Sequence, residues 1–142
     1  YTGLGGPKLM EGFMDNLPMG NTGVLIFMMV SYFILGCFLD EISTLLITAP
    51  IYIPLLRSLG IDLVWFGALY VVNMEMALLT PPFGFTLFYM RGICPIVAPQ
   101  VTMGDIYRAI IPFVALQALG LVLVMIFPQI ALWLPNMMFA GK

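Results

Sequence analysis

Two interruptions in otherwise uncharged apolar sequence constrain this chain more than any other feature. Gly36-Cys37-Phe38-Leu39-Asp40-Glu41-Ile42-Ser43 breaks one apolar stretch, and Thr80-Pro81-Pro82-Phe83-Gly84 breaks the next. Each stops a helix at a depth where lipid is expected around it. In hydrocarbon an unpaired backbone group costs several kcal/mol, so non-helical backbone persists there only inside protein or beside a wet cavity. Two discontinuous segments meeting near the bilayer midplane are the pointer to the ion and substrate sites of a secondary transporter.

Composition sets the solvent. Of 142 residues, 62% are hydrophobic and only 8% charged, against about a quarter charged in ordinary globular domains, so the chain reads as an all-α integral membrane protein. A net charge of −2 without a basic cluster gives no electrostatic case for nucleic acid. Cys37 and Cys94 form no CxxC pattern and there is no histidine, which argues against zinc and makes both cysteines packing residues. No cofactor is expected beyond a coupling ion. The 12 methionines recur without a period and read as polarizable filler. The chain starts at Tyr1 in a Gly-rich mixture with no initiator methionine and has few walls for a pathway. It is therefore expected to be one piece of a larger membrane subunit.

Five segments follow from the charge and proline pattern. Residues 1–20 hold a short amphipathic helix at the interface, with Lys8, Glu11 and Asp15 on one side. Residues 21–58 form a hairpin whose uncharged arms flank Asp40-Glu41. Its second arm, 42–56, reaches only about 22 Å against a hydrocarbon core of about 30 Å. Short arms around a polar tip favour a re-entrant hairpin over two full spans. Residues 59–91 form a transmembrane helix, capped by Asp62 after the Gly60 stop and broken at Thr80-Pro81-Pro82. Residues 92–104, with Gly92, Pro95, Pro99 and Gly104, form a loop. Residues 105–142 hold a terminal transmembrane helix capped by Asp105 and running to about Trp133, with kinks at Pro112 and Pro128, then a tail. Arg91 and Arg108 flank the loop and place it in the cytoplasm by the positive-inside rule, with Arg57 dissenting.

The chemistry-bearing residues cluster at the breaks. An acid at bilayer depth costs roughly 2.5 to 3.5 kcal/mol and usually faces a cavity or a partner, which makes Asp40 a sodium-site candidate. The alternative is that 22–39 spans the bilayer and Asp40-Glu41 are solvated loop acids. Thr80, Pro81, Pro82 and Gly84 supply a hydroxyl, carbonyls that proline cannot bond back to, and room for close backbone approach. A plain proline kink is the competing reading. Carbonyls near Gly36 complete the candidate ion site. Ser43 on the returning arm is a candidate for substrate. Glu75 lines the path or holds helices together, and Thr48 reads as a back-bonded helix hydroxyl.

These residues resemble a known family. Gly36-x-Phe38-Leu39-Asp40, Ala49-Pro50-x-x-x-Pro54, Leu59-Gly60-Ile61-Asp62-x-x-Trp65-Phe66-Gly67, Asn73-x-Glu75 and Thr80-Pro81-Pro82-x-Gly84-x-x-Leu87-Phe88 match the large membrane subunit of tripartite ATP-independent periplasmic (TRAP) transporters in order and spacing. The likeness runs over roughly residues 1–134 and corresponds to the C-terminal third of that subunit, the second inverted repeat and so half of an inverted-repeat secondary transporter. It implies a sodium-coupled elevator importer of organic acids, of C4-dicarboxylate or sialic-acid type, in the bacterial inner membrane. The implied partners are the rest of the large subunit, a small membrane subunit, a periplasmic substrate-binding protein and the lipid bilayer. Departures fall at Glu41, where proline is usual, at Ala77, where glycine is usual, and at the substrate candidate Thr86, where asparagine is common.

Two other classes compete. An intramembrane aspartyl protease needs two carboxylates close enough to share a proton, and only Asp40 and Glu75 are available as a spaced pair, without a matching motif. A structural or assembly subunit without its own pathway predicts that losing Asp40 and Thr80 leaves flux intact.

Overall fold

The first apolar run closes into a helix at Asn21 and stops at Gly36, and every later element is likewise bounded by a residue whose chemistry ends or starts it. A computed structural model describes residues 20–82 and 84–139. Among the described residues there are six helices and no strand: α1 Asn21–Gly36, α2 Glu41–Ser58, α3 Leu63–Leu79, α4 Phe85–Val97, α5 Met103–Ile126 and α6 Gln129–Phe139. The all-α expectation holds for them. The amphipathic segment expected within residues 1–20 lies, apart from Gly20, outside the described residues.

The turns explain the order. Asp40 caps α2, its Oδ2 accepting from the Ser43 amide at 3.0 Å. At the far end of α2, Gly60 adopts φ 66°, while the Ile61 amide donates to the Leu56 carbonyl and the Gly60 amide to that of Arg57. This is the left-handed glycine stop in its six-to-one form. Asp62 then starts α3, its Oδ1 accepting from the Val64 and Trp65 amides at 2.8 and 3.0 Å. The stop and the cap read at Gly60 and Asp62 are both present.

Three expected boundaries are corrected. The 92–104 loop is shorter, because α4 carries Gly92 and Pro95 and ends only at Val97. Cys94 is buried against Leu87 and Ile106, and that packing holds the last turn helical across the proline. The terminal helix begins at Met103, with Thr102 rather than Asp105 as its cap. Asp105 closes the capping box: its amide donates to Thr102 Oγ1, and its Oδ2 accepts from the Thr102 amide at 2.9 Å. The helix also stops at Ile126 instead of reaching Trp133. Pro128 disfavours helical backbone at Phe127, which sits at φ −117° and ψ 79°, and α6 restarts beyond it. Pro112, by contrast, is carried inside α5.

Side-chain bonds fix how the helices lie. Tyr52 on α2 meets Ser31 on α1 at 2.6 Å and Thr48 meets Tyr32 at 3.0 Å, so α1 and α2 form an antiparallel hairpin. Asn73 Nδ2 donates to the Met29 carbonyl at 2.7 Å and Gly36 lies on Ala77, so α3 runs parallel to α1. Trp65 Nε1 donates to the Val124 carbonyl at 2.8 Å, bringing α5 back antiparallel to α3. The main core fills the space between, from Met28, Tyr32 and Leu56 to Phe66, Leu69 and Met74.

Length separates the helices. The 16 residues of α1 and 18 of α2 span about 24 and 27 Å, short of a core of about 30 Å. Among the described residues only α5, with 24, is both long and apolar enough to cross by itself.

Candidate functional site

Glycine at position 36 decides where the two breaks lie. A Cβ there would sit 2.8 Å from Ala77 Cβ and 2.9 Å from Met74 Cε, so only a bare backbone lets the end of α1 rest on the last turns of α3. Thr80 follows Ala77 by three residues. The two breaks therefore emerge at the same end of the parallel α1 and α3 pair. Ala77, where the resembled family usually has glycine, packs its methyl group on that contact.

At the end of α1 the Cys37, Phe38 and Leu39 amides all turn back to the Phe33 and Leu35 carbonyls. Among the described residues the Gly36 and Cys37 carbonyls accept no hydrogen bond. Asp40 is exposed, and Ser43 bonds its carboxylate through both the amide, at 3.0 Å on Oδ2, and the side chain. Ser43 is half-buried.

In the second break, Thr80 leaves the helical region at φ −94° and ψ 133°. Its hydroxyl donates to the Met76 carbonyl at 2.8 Å, so its oxygen can still accept or coordinate. Pro81 and Pro82 are exposed and joined by a cis peptide. Gly84 is buried at φ 46°, a backbone conformation that favours glycine, and starts α4 by accepting from the Leu87 and Phe88 amides.

The substrate candidates are not gathered in this way. Glu75 lies exposed on α3. Thr86 lines an apolar cavity of about 530 Å³ between α4 and α5, whose walls include Leu87, Cys94 and Ile106 but neither Ser43 nor Glu75.

Sequence reasoning missed a polar seam inside the hairpin. Thr48 Oγ1 donates to the Thr44 carbonyl at 2.7 Å, the back-bonding expected of it, which leaves the Tyr32 hydroxyl to donate to Thr48. Ser31 likewise donates to the Met28 carbonyl, so Tyr52 donates to Ser31. Tyr70 reaches from α3 to donate to the Glu41 carbonyl beside the tip, and its ring meets Tyr32 edge-on at 4.7 Å. Thr44, fully buried one turn nearer the tip, has a side-chain oxygen with no partner. The available signal was the four-residue spacing of Thr44 and Thr48, which puts both hydroxyls on one helix face.

The donors at the breaks are carbonyl and hydroxyl oxygens with one carboxylate. No group of three or more His, Cys, Asp or Glu residues suited to a metal occurs among the described residues. Such hard oxygen donors suit alkali and alkaline-earth cations better than soft transition metals.

The described residues form an all-helical apolar bundle with two helix breaks at one end. The sequence model of the tripartite ATP-independent periplasmic transporter, DctM component, matches residues 1–130, and the chain belongs to that family. It is 30% identical over 136 residues to the C4-dicarboxylate TRAP transporter large permease protein DctM of Vibrio cholerae, covering 96% of this chain and 29% of that protein. It is 33% identical over 115 residues to the sialic acid TRAP transporter permease protein SiaT of Haemophilus influenzae, covering 81% of this chain and 18% of that protein. It is 33% identical over 120 residues to the ectoine TRAP transporter large permease protein TeaC of Halomonas elongata, covering 84% and 27%. The chain thus spans less than a third of the length of each of these relatives.

Proposed function

We propose that this chain forms the ion-coupling half of a sodium-driven secondary transporter in the bacterial inner membrane, importing small organic acids handed over by a periplasmic binding protein. The observation that carries the reading is the convergence of the Gly36 to Asp40 and Thr80 to Gly84 breaks at one end of α1 and α3. Unaccepted carbonyls, the Thr80 oxygen and the exposed Asp40 carboxylate there offer a hydrated cation replacements for its water. The C-terminal end of α1 adds the negative pole of its dipole. Sodium held between the breaks braces the hairpin tip against the broken helix, and substrate then meets a preformed surface beside Ser43 at the tip.

A re-entrant hairpin accounts for its short arms and for its joined open ends, where Asn21 Nδ2 donates to the Leu59 carbonyl at 3.3 Å. Arg91 and Arg108 near the 98–102 turn favour the cytoplasm for that turn and the periplasm for the hairpin mouth. The rest of the large subunit and a small membrane subunit complete the walls, and elevator-like movement of the hairpin with α3 carries the site across. The relatives' substrates span C4-dicarboxylate, sialic acid and ectoine, all compact molecules with a carboxylate. The test is uptake of each of these into proteoliposomes holding the assembled complex and its binding protein. Uptake of at least one is expected under an inward sodium gradient and not under potassium alone, whereas sodium-independent uptake would contradict the coupling.

A further inference from the structure

The fully buried, unpartnered hydroxyl of Thr44 has no structural reason to exist in the bundle as it stands. An unsatisfied buried polar group costs about 1 to 3 kcal/mol, and valine would fill the same space without that cost. Its usual escape, back-bonding to the carbonyl four residues earlier, is not taken, although Thr48 makes that bond one turn on. Side chains on a helix lean toward its N-terminus, which for α2 is the hairpin tip. Thr48, one turn further from the tip on the same face, already meets Tyr32 on α1, so Thr44 faces α1 closer to its end. The unaccepted Gly36 and Cys37 carbonyls lie at that end. A buried orphan hydroxyl oxygen at the same end of the hairpin as orphan carbonyls offers part of a shell for a small hard cation.

We propose that Thr44 Oγ1 is a ligand to the coupling sodium ion, reaching it from inside the hairpin while the Thr80 to Gly84 break approaches from α3. The proposal rests on the sodium-coupled reading above and adds to its site a residue on the buried face of α2. It makes two effects of one substitution run in opposite directions. Thr44→Val removes an oxygen that is unsatisfied without the ion, so the assembled transporter in sodium-free medium should unfold at the same temperature as wild type or higher. The same variant should need about tenfold more sodium for half-maximal uptake, the scale of one lost bond to a charged group. It should also need correspondingly more sodium to gain the thermal stabilisation that ion binding gives the wild type. Thr44→Ser keeps the oxygen and should keep the wild-type sodium curve.

An unchanged sodium requirement in Thr44→Val, with Asp40→Ala still shifted, would overturn the proposal and leave Thr44 holding a buried water. A shifted curve in Thr44→Ser would overturn it as well, and that arm remains readable if the valine variant fails to assemble. Sodium-independent uptake by the wild type would instead sink the coupled-transport reading, and this proposal with it.

Discussion

Gly36 shows how one absent methyl group sets the architecture. With 2.8 Å between its would-be Cβ and Ala77 Cβ, Gly36→Ala forces α1 off α3 and should destabilise the complex by about 1 to 3 kcal/mol. Adding Ala77→Gly should return most of that loss in thermal unfolding of the double variant, and simple additivity of the two changes would contradict the contact. Asn73 makes a comparable prediction. Replacing it with leucine removes the bond to the Met29 carbonyl and should cost about 0.5 to 1.5 kcal/mol in the same measurement. Residue roles were only partly legible in the sequence. Gly60, Asp62 and the back-bond of Thr48 act through neighbours within five residues, and these roles are readable from spacing alone. Gly36, Thr44 and Tyr70 act on residues brought near by packing, so the helix contact that Gly36 makes, besides its candidate role as ion-site backbone, is not readable from sequence.

Among the elements, the hairpin and the broken helix are the best defined by sequence, because a polar or proline-rich break within an apolar run leaves few alternatives. The α4 and α5 boundaries were less legible. Burial of Cys94 outweighs Pro95 at one, and Pro128 ends a helix that Pro112 does not. No window of sequence states which proline has neighbours to support it. The hairpin itself predicts a labelling pattern. Cysteines at Gly20 and Ser58 in the assembled complex should both react with a membrane-impermeant reagent from the outer face, while a cysteine at Asp40 reacts poorly. Reaction of the first two from opposite faces would turn α1 and α2 into ordinary spans.

At the scale of the whole molecule, the exposed apolar surface of α5, including Ile111, Phe113 and Leu116 at 67, 62 and 67% exposure, calls for lipid or further helices around it. The chain spans less than a third of the length of these relatives, and such helices are proposed to come from the assembled complex. Topology is testable in that setting. A reporter inserted between Ala98 and Thr102 should read cytoplasm and one after Lys142 periplasm, whereas the reverse would turn the hairpin mouth away from the binding protein. The central claim is that the two breaks form one sodium site. By linkage, sodium and substrate raise each other's affinity by the same factor, typically about 5 to 150-fold. The direct measurement is the sodium concentration for half-maximal uptake by the assembled transporter carrying Asp40→Ala or Thr80→Ala, each checked for normal insertion. Both variants should require several-fold more sodium than wild type, and an unchanged requirement in both would place the ion elsewhere and leave the breaks as structural kinks.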